Sequence, residues 1–193
     1  MAKRGAIGAV LAGGDGRRIG GDKAVVELDG RPLLHYPLAV VRAALGNVAV
    51  VAKSATSLPP LDSGVAIWLE PDEPRHPLAG ILHALVRAGG RSVVIVAGDM
   101  PFVTRDLVAA LARERARGAC AVVPRVAGRL QPLCARYEPA ALAALTAFDP
   151  GADMVETIDA LSPKIIDWPD EEPFFKVGGP EDLLQAAALL DSR

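Results

Sequence analysis

Two segments of this 193-residue chain carry residues suited to phosphate chemistry. The first is Leu11-Ala12-Gly13-Gly14-Asp15-Gly16-Arg17-Arg18-Ile19-Gly20-Gly21-Asp22-Lys23. Glycines let backbone N–H groups turn inward and approach an anion closely. Arg17, Arg18 and Lys23 add mobile positive charge at the same place, so the loop suits a triphosphate. The second is Gly98-Asp99-Met100-Pro101, where a carboxylate directly follows the apolar run Ser92 to Ala97. Mg²⁺ is commonly held by one or two carboxylates together with substrate phosphates and water. Asp99 facing a triphosphate is therefore the candidate metal ligand.

Two familiar phosphate loops do not match. A Walker A loop needs Gly-Lys followed by Ser or Thr, whereas Gly21 precedes Asp22 and Lys23 precedes Ala24. The dinucleotide fingerprint needs a third glycine where Ile19 stands, and an acid after the second strand. The chain has Ala52-Lys53-Ser54 there. Lys53 could instead take a 2′-phosphate, which keeps an NADP-dependent oxidoreductase as the weakest of several readings.

The elements that must position these groups alternate regularly. Ala6–Ala12, Asn47–Ala52, Ala66–Leu69, Ser92–Ala97, Ala119–Val123, Leu133–Arg136 and Lys164–Asp167 read as strands. Helices are predicted over Pro32–Leu45, Leu78–Ala88, Thr104–Arg117, near Pro139–Phe148, over Asp153–Leu161, and from Gly179-Pro180-Glu181-Asp182 onward. Thr104 is the expected N-cap of its helix and Gly118 its terminator. Alternation at this spacing means βαβ units and an α/β fold, a three-layer sandwich with a mostly parallel central sheet. In such sheets ligands bind beyond the carboxyl ends of the strands, where both chemical segments fall.

Composition narrows the setting. Hydrophobic residues are 51% and aromatics 4%, so a sizeable aliphatic core is expected within one domain spanning residues 1–193. The net charge of −2 gives no basic excess for nucleic acid. Cys120 and Cys134 are too few for a disulfide scaffold or a four-cysteine zinc site and fit a reducing compartment. Mean hydropathy is high at +0.28. The longest strand-like run is nevertheless far short of the ~20 apolar residues of a membrane span. The first apolar stretch breaks at Gly13-Gly14, too early for a signal peptide. A cytoplasmic protein away from membranes is expected. His35, His76 and His83 lack metal-ligand spacing and read as structural, Cys120 and Cys134 as small core residues. Arg113, Arg115 and Arg117 read as a solvated helix face.

Leu11 to Lys23 resembles the signature of the molybdenum cofactor guanylyltransferases, LAGGxxxRMGxDK, with Ile19 in place of Met. These are the molybdopterin-guanine dinucleotide biosynthesis protein A family, within the nucleotidyltransferases. Further similarities follow in order: Glu27 to Leu34, Pro77-Leu78-Ala79-Gly80, Gly98 to Phe102, Gln131-Pro132-Leu133 and Gly179 to Leu183. The resemblance implies a Rossmann-like nucleotidyltransferase fold. It implies transfer of GMP from GTP to the terminal phosphate of molybdenum-loaded molybdopterin, with release of pyrophosphate. Leu11, Ala12, Gly13, Gly14, Lys23, an acid before Pro77, and Asp99 would bind the nucleotide. Arg18, Lys23 and Asp99 would serve catalysis, with Asp99 on Mg²⁺. Molybdenum-insertion proteins or molybdoenzyme chaperones are the implied protein partners. Among the acids Glu70, Asp72 and Glu73, Asp72 is the favoured reader of guanine and Glu70 the second choice.

The sequence departs from that pattern in its acceptor half. Val51-Ala52-Lys53 stands where the family has an asparagine after the second strand, Lys176 and Gly178 replace two more near the C-terminus, and Gly151 to Met154 contain no arginine. Lys176 is expected to grip the acceptor phosphate instead. Two alternatives stay open: a related nucleotidyltransferase of cytidylyl or sugar-phosphate type, and a degenerate, non-catalytic GTP-binding protein.

Overall fold

Short β-branched runs bounded by glycine become strands, and the amphipathic stretches between them become helices. The computed structural model describes residues 5–13 and 23–192. Its elements in chain order are β1 (Ile7–Leu11), β2 (Glu27–Leu28), β3 (Arg31–Pro32), α1 (His35–Leu45), β4 (Val48–Ala52), β5 (Ala66–Leu69), α2 (Pro77–Arg87) and β6 (Val93–Ala97). There follow α3 (Arg105–Arg113), β7 (Ala121–Val126), β8 (Arg129–Leu130), β9 (Cys134–Tyr137), α4 (Ala141–Leu145), α5 (Met154–Ala160), β10 (Lys164–Asp167) and α6 (Pro180–Asp191).

Among the described residues, one sheet has the order β10-β7-β9-β6-β1-β4-β5, with β8 paired to β7. The pairs β6-β1, β1-β4, β4-β5 and β7-β10 are parallel, while β9 runs against both β6 and β7. The sheet is therefore mixed and mostly parallel, as the α/β alternation predicts. Side chains alternate between its two faces. Val10, Val50, Val94 and Val96 pack under α1 and α3, against Leu38, Val41, Leu107 and Leu111. Ala9, Ala49, Val51, Val93 and Ile95 pack under α2 and α4, against Leu78, Ile81, Leu85 and Leu145. Helices on both faces make the three-layer sandwich. A smaller apolar cluster of Leu28, Leu33, Phe102, Val177 and Ala186 seats α6 beside the β2-β3 hairpin.

The structure differs from the sequence expectation at two helices. The first begins at His35 rather than Pro32, because Arg31 and Pro32 pair antiparallel with Glu27 and Leu28. Asp29 and Gly30, at φ 50° and 68°, make the intervening turn, and Asp-Gly is a strong hairpin signal. The helix capped by Thr104 ends at Arg113 rather than Arg117. Buried Arg136 on β9 donates to the carbonyls of Leu111 and Ala112 at 2.8 and 2.9 Å, satisfying the last turn. Among the described residues no helix is long and apolar enough to cross a membrane.

Candidate active site at the carboxyl edge of the sheet

Parallel register gathers four strand ends. Leu11 is opposite both Val51 and Ala97, and Ala52 is opposite Leu69. The residues that follow, Gly13, Lys53, Glu70 and Gly98-Asp99, therefore emerge along one edge. They line a cavity of about 250 Å³ together with Leu11, Ala12, Lys23, His76, Pro77 and Gly80.

Close backbone contact shapes the floor. Gly98 N–H donates to the Leu11 carbonyl at 2.9 Å. A Cβ on Gly98 would stand 2.9 Å from that oxygen and 3.0 Å from Leu34 Cδ1, so glycine is needed where the ends of β1 and β6 meet. Met100 N–H turns back to the Ala97 carbonyl at 3.3 Å, and Val177 N–H donates to the Asp99 carbonyl at 2.9 Å. The C-terminal segment is thus docked on the backbone of Asp99.

At one end of the cavity the Lys23 ammonium donates to Asp99 Oδ2 at 3.0 Å. Both side chains are one-fifth exposed, reachable by a ligand yet partly shielded from water. Lys23 opens a 3₁₀ turn, Lys23–Val25, anchored by buried Ala24. Among the described residues no group of three or more His, Cys, Asp or Glu could hold a metal by itself. A single carboxylate beside a phosphate site is a donor that a hard cation can share with phosphate and water, and Asp99 is such a carboxylate.

At the other end lies Glu70. Its backbone N–H donates to the Ala52 carbonyl at 2.9 Å, which continues the β4-β5 pairing by one residue. Its side chain is 7% exposed and 3.7 Å from the Lys53 ammonium. Lys53 also donates to the Pro71 carbonyl at 2.7 Å. Burial pushes the Glu70 carboxyl up, Lys53 draws it down through charge and hydrogen bonding, and Asp72 pushes it up again. His76 caps α2, its Nδ1 accepting from Leu78 N–H at 3.2 Å, and it also forms part of the cavity wall.

Of the residues singled out in sequence, the structure brings Leu11, Ala12, Gly13, Lys23 and Asp99 to one cavity. Gly14 and Arg18 lie outside the described residues. Asp72, the favoured guanine reader, is exposed, accepts from the Ser54 hydroxyl at 3.1 and 3.2 Å, and is not in the cavity wall. The chain leaves the sheet after Glu70, and two residues of loop carry Asp72 outward. In sequence Lys53 is a 2′-phosphate candidate or a departure from the family pattern; its contact with Glu70 depends on strand register. Lys176 is exposed and adjoins the Val177–Asp99 bond. In the Gly151–Met154 segment, Asp153 accepts from Val155 and Glu156 N–H at 2.8 and 3.0 Å, capping α5. Cys134 is fully buried and its thiol is pushed up to about 12 by that burial, so it is no nucleophile.

Residues 8–161 match the family described as MobA-like NTP transferase domain. The chain is 37% identical over 201 residues to a molybdenum cofactor guanylyltransferase of Cereibacter sphaeroides, covering 95% of this chain and 96% of that protein. It is 36% identical to the molybdenum cofactor guanylyltransferase of Acidiphilium cryptum, covering 93% and 92%. In fold it is similar to molybdopterin-guanine dinucleotide biosynthesis protein A from Archaeoglobus fulgidus, with a TM-score of 0.74, 24% identity and coverage of 96% and 99%. It is also similar in fold to 2-C-methyl-D-erythritol 4-phosphate cytidylyltransferase from Thermus thermophilus, with a TM-score of 0.67, 25% identity and the same coverage.

Proposed function

The chain belongs to the MobA-like NTP transferase domain family, and from that premise we propose that it is a molybdenum cofactor guanylyltransferase. It transfers GMP from GTP to the terminal phosphate of molybdenum-loaded molybdopterin. An oxygen of that phosphate attacks the α-phosphorus of GTP, the bond to the β-phosphate oxygen breaks, and pyrophosphate leaves. The product is the guanine dinucleotide cofactor. The observation that carries this reading is the two-ended cavity. A Lys23–Asp99 pair at 3.0 Å suits a triphosphate with its cation, and a buried Glu70 beside Lys53 suits a purine edge.

The acceptor phosphate is largely ionised near neutral pH, its second pKa being about 6, so no strong general base is required. Catalysis is then positioning and charge stabilisation. Asp99 would hold the divalent cation, which we take to be Mg²⁺, and Lys23 beside it would face the phosphates. Such a cation would supply positive charge to the phosphate oxygens. Lys23 neutralises charge on the transferring group, and Arg18 with the amides of Gly13 and Gly14 receives the pyrophosphate. Leu11 and Ala12 shape the wall against the nucleoside. Glu70 accepts from guanine N1–H and N2–H. We take residues 1–193 as one nucleotidyltransferase domain working in the cytoplasm, a reading supported by two free cysteines. Molybdenum-insertion proteins or molybdoenzyme chaperones are its proposed partners.

The test is pyrophosphate release and product mass with molybdenum-loaded molybdopterin, Mg²⁺, and either GTP or CTP. GTP-dependent dinucleotide formation is expected. Equal turnover with CTP would overturn the guanylyl assignment.

A further inference from the structure

Glu70 sits in a slot made by missing side chains. A Cβ on Gly13 would stand 2.7 Å from Glu70 Oε1, and one on Gly80 would stand 3.2 Å from Oε2. Oε2 is buried and has no hydrogen-bond partner. A buried acceptor without a partner is costly, which marks it as awaiting a donor. The Lys53 ammonium lies beside the other oxygen, 3.7 Å from Oε1. Its side chain is 15% exposed, and one of its three donors is held by the Pro71 carbonyl. The end of the cavity therefore pairs one donor group, the Lys53 ammonium, with the two acceptor oxygens of the Glu70 carboxylate.

Guanine presents the complement along one edge: the O6 acceptor, the N1–H donor and the N2–H donor. Adenine presents a donor at C6 and an acceptor at N1, wrong at both places. Cytosine is wrong at all three. Resting on the guanylyl reading above, we propose that Lys53 determines specificity by donating to the 6-oxo group of guanine while Glu70 accepts from N1–H and N2–H. Lys53 acts on the base and not on the transferring phosphate. Its bond to the Pro71 carbonyl sets the ammonium in place before the base arrives.

The probe that isolates this contact is 6-thio-GTP. It keeps both N–H donors and replaces O6 by sulfur, a weak acceptor. Binding to the full chain is measured by calorimetric titration with Mg²⁺ for GTP, 6-thio-GTP, ATP and CTP. Wild type should prefer GTP to 6-thio-GTP by about 10-fold, the scale of one hydrogen bond to a charged group. Lys53→Met should lose about that factor for GTP and bind the two nucleotides alike. Lys53→Gln, which keeps an uncharged donor, should show an intermediate ratio and serves if the Met variant does not fold. A variant ratio equal to that of wild type overturns the proposal. So does uniform weakening of all four nucleotides, the mark of Lys53 serving only to hold the Pro71 loop. In both cases a wild-type preference for GTP over CTP leaves the guanylyl reading standing. Loss of that preference in wild type removes the guanylyl reading and the Lys53 assignment with it.

Discussion

The Lys23 ammonium lies 3.0 Å from Asp99 Oδ2, although 76 positions separate the two residues in the chain. In the proposed reaction the triphosphate would take Lys23 and the cation Asp99, so the two ligands would divide this pair. Lys23→Ala should weaken GTP binding and lower turnover by about 100-fold, the scale for removing one electrostatic stabiliser of a transition state. Asp99→Ala should abolish metal-dependent turnover with an unchanged far-UV circular dichroism spectrum. Steady-state pyrophosphate release checks both; wild-type rates in either variant would place the phosphate chemistry elsewhere.

Burial holds the Glu70 carboxyl above the ordinary glutamate range. A carboxyl whose folded pKa lies above its unfolded value takes up protons on folding between the two. Its contribution to stability is therefore present below the unfolded pKa and is lost as pH rises through the folded pKa. Glu70→Gln, which carries no such charge, should melt higher than wild type at pH 8, with the gap closing as pH falls toward 4. The same variant should bind GTP about 10-fold or more weakly, because the amide presents an N–H group where two acceptors are needed. Thermal melts across pH, paired with GTP titration, measure both. A gap that widened on acidification would contradict this account of Glu70.

Gly98 stands where the backbones of β1 and β6 converge. Gly98→Ala puts a methyl group 2.9 Å from the Leu11 carbonyl oxygen and 3.0 Å from Leu34 Cδ1. Leu34 can give a little, but the β1 backbone cannot. The expected cost is about 1–3 kcal/mol, a fall in Tm of roughly 2–4 °C for each kcal/mol in a chain of this size. Turnover should drop more steeply than stability, because the shift displaces Asp99. Differential scanning calorimetry and kinetics test this together; an unchanged Tm would mean that the strand ends are looser than described.

Lys176 adjoins the segment tied to Asp99 through Val177, and it is exposed. Lys176→Ala should raise the KM for molybdenum-loaded molybdopterin several-fold, about one exposed charge contact, and leave GTP affinity within twofold. Initial rates with each substrate varied in turn distinguish this from a general loss. Equal effects on both substrates would remove Lys176 from the acceptor site.

Much of this protein is legible without coordinates. Runs such as Ser92 to Ala97, short, β-branched and apolar on both faces, read as central strands, and their alternation with amphipathic stretches points to a covered, mostly parallel sheet. Thr104 before an apolar-periodic segment and Pro180 with acids behind it mark helix starts, and both helices begin there. Lys23 and Asp99 are legible because a glycine-rich loop with cations, and a carboxylate directly after a buried strand, are chemically unusual. These features are local: each depends on residues within a few positions of one another.

Other features depend on register and on distant partners, which no local pattern encodes. The helix ends at Arg113, where Glu114 turns to extended backbone, and its last-turn carbonyls are satisfied by Arg136 from another strand, a partner that the sequence leaves unassigned. Among Glu70, Asp72 and Glu73 the spacing to Pro77 does not discriminate. Glu70 alone of the three lines the cavity, because its N–H continues the pairing to Ala52 and its side chain lies between Gly13 and Gly80. Lys53 becomes a partner of that carboxylate only because β4 and β5 end level with each other. Residue types announce the chemistry available to this chain, but the alignment of parallel strand ends selects which residues share a cavity, because side chains that meet there are separated by whole helices in sequence.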